Sequence, residues 1–80
     1  MARYYFDLMD QDGLVVDEEG SEIADMEGVE QEASRAMADA ARESFQRPIK
    51  PGEAAIEVRD DFGPVMRVRF TVQIERLRRQ

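Results

Sequence analysis

The 80-residue sequence contains no Cys, no His and no Trp. Without Cys there is no disulfide framework. Without Cys or His there is no zinc site of the usual kind, no haem ligation by His, and no Ser-His or Cys-His nucleophile pair. Apart from tyrosine, the hydroxyl and amine nucleophiles are Ser21, Ser34, Ser44, Thr71 and Lys50, and no imidazole stands by to activate them. The adjacent carboxylates Glu18-Glu19 and Asp60-Asp61 fall in turn-like segments, where water screens them and nothing holds a substrate. No glycine-rich phosphate loop separates a strand from a helix, since Gly20 is isolated. The chain therefore reads as non-enzymatic, with no catalytic residues and no cofactor. Long apolar runs are also missing. None approaches the ~20 residues of a membrane span, and Met1-Ala2-Arg3-Tyr4-Tyr5-Phe6-Asp7 meets charge too early for a signal peptide. The expected setting is the cytoplasm, away from membranes.

What remains is charge and alternation. Eighteen acids against eleven bases give a formal charge of −7, and the excess is lopsided: residues 1–40 carry twelve acids and two bases, residues 41–80 six acids and nine bases. Such a split favours association between the halves of one chain or of two, and argues against a whole-surface nucleic-acid binder. The length allows one small domain, expected over residues 1–75, with 76–80 as a frayed basic tail.

From Arg3 to Met9 the residues alternate, with Tyr4, Phe6 and Leu8 on one side and Tyr5, Asp7 and Met9 on the other, the period of a half-buried strand. Asp10-Gln11-Asp12-Gly13 and Leu14-Val15-Val16 complete a hairpin. A three-residue loop with Gly13 left-handed sets Leu8 opposite Val16 and keeps apolar partners together, so that register is expected. Ser21 to Ala24 reads as a turn with Ile23 as its apolar anchor. Asp25 is a good N-cap for a helix over Met26–Gln46, where Met26, Val29, Ala33, Ala36, Met37, Ala40 and Phe45 recur at helical spacing. Gly28 should cost that helix roughly 1 kcal/mol relative to Ala. Pro48 and Pro51-Gly52 end it.

The strongest signal lies in residues 54–75. Ile56 and Val58 alternate with Glu57 and Arg59; after Asp60-Asp61-Phe62-Gly63, the residues Met66, Val68, Phe70, Val72 and Ile74 alternate with Arg67, Arg69, Thr71, Gln73 and Glu75. A second hairpin follows, again Asp-x-x-Gly, with Val58 facing Met66, Ile56 facing Val68 and Glu57 facing Arg67.

The fold class expected is α+β: a two-layer ββαββ sandwich in which two β-hairpins are joined by one helix packed on one face of a four-stranded sheet. The first and fourth strands, richest in apolar residues, are expected in the middle. Phe6, Leu8, Val29, Met37, Phe45, Ile56, Val58, Val68 and Phe70 should form one core. The uncovered sheet face would carry Tyr5, Asp7, Glu57, Arg59, Arg67 and Arg69, which form the candidate interaction face.

Several of these features resemble a family of short bacterial proteins catalogued only as a domain of unknown function: Arg3-Tyr4-Tyr5-Phe6-Asp7, the run from Asp17 to Glu22 before Asp25, the Glu32-Ala33 and Ala36 spacing, and Val58-Arg59-Asp60 before Gly63. That family has no assigned reaction, cofactor or ligand, so the resemblance implies a fold and no site residue. The passage from Gly20 to Asp25 with Ala33, Ala36 and Ala40 is also similar to HicB-type antitoxin domains, although the strand count before the helix differs and no DNA-binding appendage follows residue 75.

The acids from Asp10 to Asp25, Asp17 among them, read as a turn and solvated loops: they lack metal-ligand spacing, since Gly13 comes fourth from Asp10 where an EF-hand loop needs Gly sixth, and no metal site is expected. Arg59, Arg67 and Arg69 beside Tyr5 could stack on a nucleic-acid strand, but Asp7, Glu57 and the net charge oppose it. Met26 and Met37 are read as core filler. The expected role is a protein-interaction module that offers its open sheet face or an edge strand to a protein partner or a second copy. A regulatory, antitoxin-like role on a toxin or nucleic acid is the alternative.

Overall fold

The computed structural model describes residues 2–46 and 50–78. Arg79 and Gln80 of the expected tail, and Arg47 to Ile49 after the helix, lie outside the described residues. The elements run β1 (Ala2–Asp10), β2 (Gly13–Val15), β3 (Ser21–Ile23), α1 (Met26–Ser44), β4 (Gly52–Asp60) and β5 (Gly63–Val72). The class is α+β, one helix on an antiparallel sheet, and the ββαββ order holds in outline. The sheet has five strands rather than the four expected.

The extra strand arises because the partner of β1 is broken in two. β2 pairs with the end of β1 (Leu8↔Val15, Met9↔Leu14), and β3 pairs with its beginning (Ala2↔Ile23, Tyr4↔Ser21). Three residues of β1, Tyr5 to Asp7, thus face five residues, Val16 to Gly20, which loop off the edge. Ser21–Ile23 is therefore a strand, not the turn its composition suggested.

Both hairpins have the same two-residue turn, Asp10↔Gly13 and Asp60↔Gly63 being the closing pairs. In each, the Asp Oδ1 accepts a backbone N–H two residues on, from Asp12 or Phe62, at 2.8 Å. Gly13 and Gly63 have positive φ, 133° and 123°. The two hairpins then diverge. In the second, a bulge between the pairs Arg59↔Pro64 and Val58↔Met66 absorbs Val65, so the expected registers Val58↔Met66, Glu57↔Arg67 and Ile56↔Val68 all occur. The first has no bulge, and Leu8 faces Val15 instead of Val16.

The strand order is β2-β1-β4-β5, with β3 also on β1. The first strand, β1, lies in the centre as expected, but its central neighbour is β4; the expected fourth strand, β5, lies at the edge despite its apolar residues. Depth of burial explains this better than apolar count. Ile56 and Val58 on β4 are 2% and 0% exposed, whereas Met66, Val68 and Phe70 on β5 are half-buried.

Asp25 caps α1, its Oδ1 accepting the Gly28 N–H at 2.8 Å. Val29, Ala33 and Met37 are buried against Ile56 and Val58, with Tyr4, Phe6, Leu8 and Ile23 around them. Gly28 has a packing reason: a Cβ there would lie 2.7 Å from Ile23 Cγ2, so the missing side chain lets the first turn sit on β3. The helix stops at Ser44, two residues short of the expectation, with Phe45 as C-cap. Phe45 is a corrected core assignment: it is 42% exposed and reaches the core only through its ring, 5.9 Å from that of Phe70. Ile74 is likewise outside the sheet and 54% exposed. No helix of the described residues is long and apolar enough to cross a membrane.

Candidate interaction surface

The face opposite α1 divides into two unlike halves. At the β1 side, the five-residue excursion Val16 to Gly20 returns against the strand, and Asp17 fixes it. One Asp17 carboxylate oxygen accepts the Phe6 N–H at 3.1 Å; the other accepts the N–H groups of Glu19 and Gly20 at 3.2 and 3.1 Å. The Phe6 donor lies where β1, paired with β4 on one side, has neither β2 nor β3 on the other, so the carboxylate replaces a missing ladder partner. Gly20 closes the excursion with φ 72°, and a Cβ there would stand 2.9 Å from the Tyr5 ring and 3.0 Å from the Tyr4 carbonyl oxygen.

A second carboxylate ties this loop to the sheet. The Asp17 N–H donates to Asp7 Oδ1 at 2.9 Å, while Arg59 Nε donates to Asp7 Oδ2 at 2.8 Å and its Nη2 to the Asp17 carbonyl at 3.1 Å. The Arg59 guanidinium lies 4.4 Å from the Tyr5 ring centroid, a cation–π contact across neighbouring strands. Asp7, only 8% exposed, thus has both oxygens committed.

These contacts shift two ionisations. For Asp17, partial burial works to raise the pKa, but the backbone N–H groups of Gly20, Phe6 and Glu19, helped by the Arg59 charge, outweigh it and hold the carboxyl below its usual range. For Arg59 the hydrogen bond to Asp7 comes first, and with the nearby negative charges it raises the guanidinium pKa against the desolvation that would lower it.

The other half of the face is simpler. Arg67 Nε donates to Glu57 Oε2 at 3.2 Å, and Arg69 approaches Glu53 at 3.7 Å with both side chains mostly exposed. Both carboxylates sit on β4 and both guanidinium groups on β5, so the sheet's outer strand presents the positive ends. Among the described residues, the outer edge of β5 meets no strand.

All six candidate residues, Tyr5, Asp7, Glu57, Arg59, Arg67 and Arg69, therefore share the open face, but they form two groups. Tyr5, Asp7 and Arg59 belong to an internal clasp; Glu57, Arg67 and Arg69 face outward. Asp17, which organises the clasp, was read as part of a solvated acidic loop. Among the described residues no three Asp or Glu are grouped so as to hold a metal ion.

A family model described as "Domain of unknown function (DUF6894)" matches residues 3–71. The chain belongs to that family. The match runs from the first residues of β1 almost to the end of β5, so it takes in the clasp and both hairpins. No curated protein and no solved structure matches the chain. None of these findings bears on the likeness to HicB-type antitoxins.

Proposed function

We propose that this DUF6894 chain is a non-enzymatic protein-binding module that takes an extended acidic segment of a partner protein as an added strand along β5. The observation that carries the reading is the outer edge of the ten-residue β5, which meets no strand among the described residues, with Arg67 and Arg69 on the open face beside it. Added strands gain affinity from main-chain hydrogen bonds and selectivity from alternate side chains. On the open face, the incoming residues opposite Arg67 and Arg69 would be carboxylates. Their neighbours would turn the other way, onto half-buried Val68 and Phe70.

A second copy suits this edge poorly. Antiparallel pairing of two β5 strands about Val68 sets Arg67 of each against Arg69 of the other, and like charges directly opposite are destabilising. A nucleic-acid strand is disfavoured too: a phosphate at every nucleotide would meet a chain of net charge −7, whereas an alternating segment places only two carboxylates, both at Arg67 and Arg69. The test is titration of the chain with a synthetic peptide of alternating Glu and Val, followed by calorimetry. Saturable binding is expected, weakened by Arg67→Gln/Arg69→Gln and abolished when alternate peptide amides are N-methylated. Equal binding of an alternating Lys-Val peptide refutes the charge argument; indifference to N-methylation refutes strand addition.

A further inference from the structure

A groove of about 500 Å³ opens between the last turns of α1 and the sheet, at the opposite end from the helix N-cap. Its floor is apolar: Leu8, Met37, Ala54 and Phe70. Among the described residues little fills it, because the helix stripe dwindles to Ala40 and Ala41 there. Its rim, among the described residues, is acidic, with Asp10, Asp12 and Glu43 against Lys50, while the Glu53 carboxylate turns to the other face, toward Arg69.

The chain contains a segment of the complementary character. Residues 73–78, Gln73-Ile74-Glu75-Arg76-Leu77-Arg78, follow β5 with no regular structure; Ile74 is 54% exposed and Leu77, three residues on, is 92% exposed. Apolar side chains at that spacing between arginines match an apolar floor with an acidic rim.

The segment leaves from the groove's own lip, since Val72, the last residue of β5, lines it. Entering that same groove would need a reversal directly after Val72, and residues 73–78 contain neither Gly nor Pro to make one. Six extended residues reach about 20 Å, enough to cross to a neighbour.

We infer that residues 73–78 of one copy occupy this groove in a second copy, with Ile74 and Leu77 on the floor and Arg76 and Arg78 against the acidic rim. The exchange is reciprocal about a two-fold axis, which closes the assembly at a dimer. It does not depend on strand addition at β5. With −7 on each chain, long-range repulsion opposes the approach, so attraction has to come from this local match.

Light scattering over a dilution series of the full chain tests the assignment. Wild type should pass from monomer to dimer, more weakly at ~1 M than at ~0.1 M salt as the rim charges are screened. Ile74→Ser/Leu77→Ser should raise the dimer dissociation constant by about tenfold or more for each side chain removed. Because both residues are exposed in the single copy, the melting temperature of the dilute monomer should not change. Asp12→Arg should weaken the dimer, and adding Arg78→Glu should restore it. A wild-type monomer at every concentration overturns the inference, as does a dimer indifferent to Ile74→Ser/Leu77→Ser. Failure of Arg78→Glu to rescue Asp12→Arg also overturns it. A strict monomer destabilised by Ile74→Ser/Leu77→Ser would place the segment in its own copy and overturn the exchange.

Discussion

Replacing Asp17 by Ala should destabilise the fold far more than its place in an acidic loop suggests. The carboxylate accepts three backbone N–H groups, from Phe6, Glu19 and Gly20. Each such bond contributes about 0.5–1.5 kcal/mol net, and a part-buried donor left without a partner adds its own desolvation cost. Three together give roughly 2–4 kcal/mol, set against the ~4–12 kcal/mol expected for a domain of this size. At about 4–8 °C per kcal/mol, the melting temperature should fall by roughly 8–32 °C. Asp17→Asn keeps one acceptor oxygen and should lose about half as much. The pH dependence has a defined sign. The carboxyl is held below its ordinary value in the folded chain, so its contribution is present above the unfolded pKa and is lost as pH falls through the folded one. Wild type should therefore weaken below about pH 4, and Asp17→Asn should flatten that acid limb. Urea titrations of the three proteins over a range of pH measure both effects. An Asp17→Ala midpoint within about 0.5 kcal/mol of wild type would refute the assignment of Asp17 as the residue that anchors the loop to β1.

The packing makes further predictions. Helix propensity alone says that Gly28→Ala should stabilise by about 1 kcal/mol, but the 2.7 Å approach to Ile23 Cγ2 reverses the sign, and a loss of roughly 1–3 kcal/mol in chemical denaturation is expected. Phe70→Ala, at a half-buried position on an edge strand, should cost about 1.5–3 kcal/mol, less than the ~3–5 kcal/mol of a fully buried Phe; a loss at the higher figure would mean that β5 is more deeply packed than described.

How far the fold was legible depended on whether a signal was local. Side-chain parity was local: Tyr4, Phe6 and Leu8 do face the helix, and Ile56, Val58, Met66, Val68 and Phe70 do share that side. The registers were less secure. In the second hairpin the expected pairs occur, though the route differs: a shorter turn plus a bulge at Val65 gives the same offset as a longer turn. In the first hairpin the same turn has no bulge, and the register moves by one residue. Nothing in Asp10-Gln11-Asp12-Gly13 distinguishes it from Asp60-Asp61-Phe62-Gly63 in this respect, because a bulge is decided by what packs beyond the turn. Strand order was not local at all. Counting apolar residues promoted β5, but a central strand needs burial on both flanks, and the small Ala54 and Ala55 with Ile56 and Val58 suit β4 to that place.

The clasp was legible in a way that the alternation patterns hid. Four of the five glycines stand three residues after an aspartate: Asp10 and Gly13, Asp17 and Gly20, Asp25 and Gly28, Asp60 and Gly63. In all four, the aspartate side chain accepts a backbone N–H two or three residues ahead. Reading two of them as hairpin turns and one as a helix cap left the fourth unread, because acids on either side made Asp17 look like one member of a solvated run. The motif itself marks a place where the chain changes direction under side-chain control. At Asp17 that reversal happens in the middle of an edge strand, and it yields β2, a loop and β3 from what would otherwise be one continuous strand. An unbroken strand there would have offered a second long edge opposite β5. The break, covered by a clasped loop, removes that edge, since interrupted and covered edges are how sheets avoid unwanted pairing. Among the described residues one long open edge is thereby left, that of β5, the strand that carries Arg67 and Arg69.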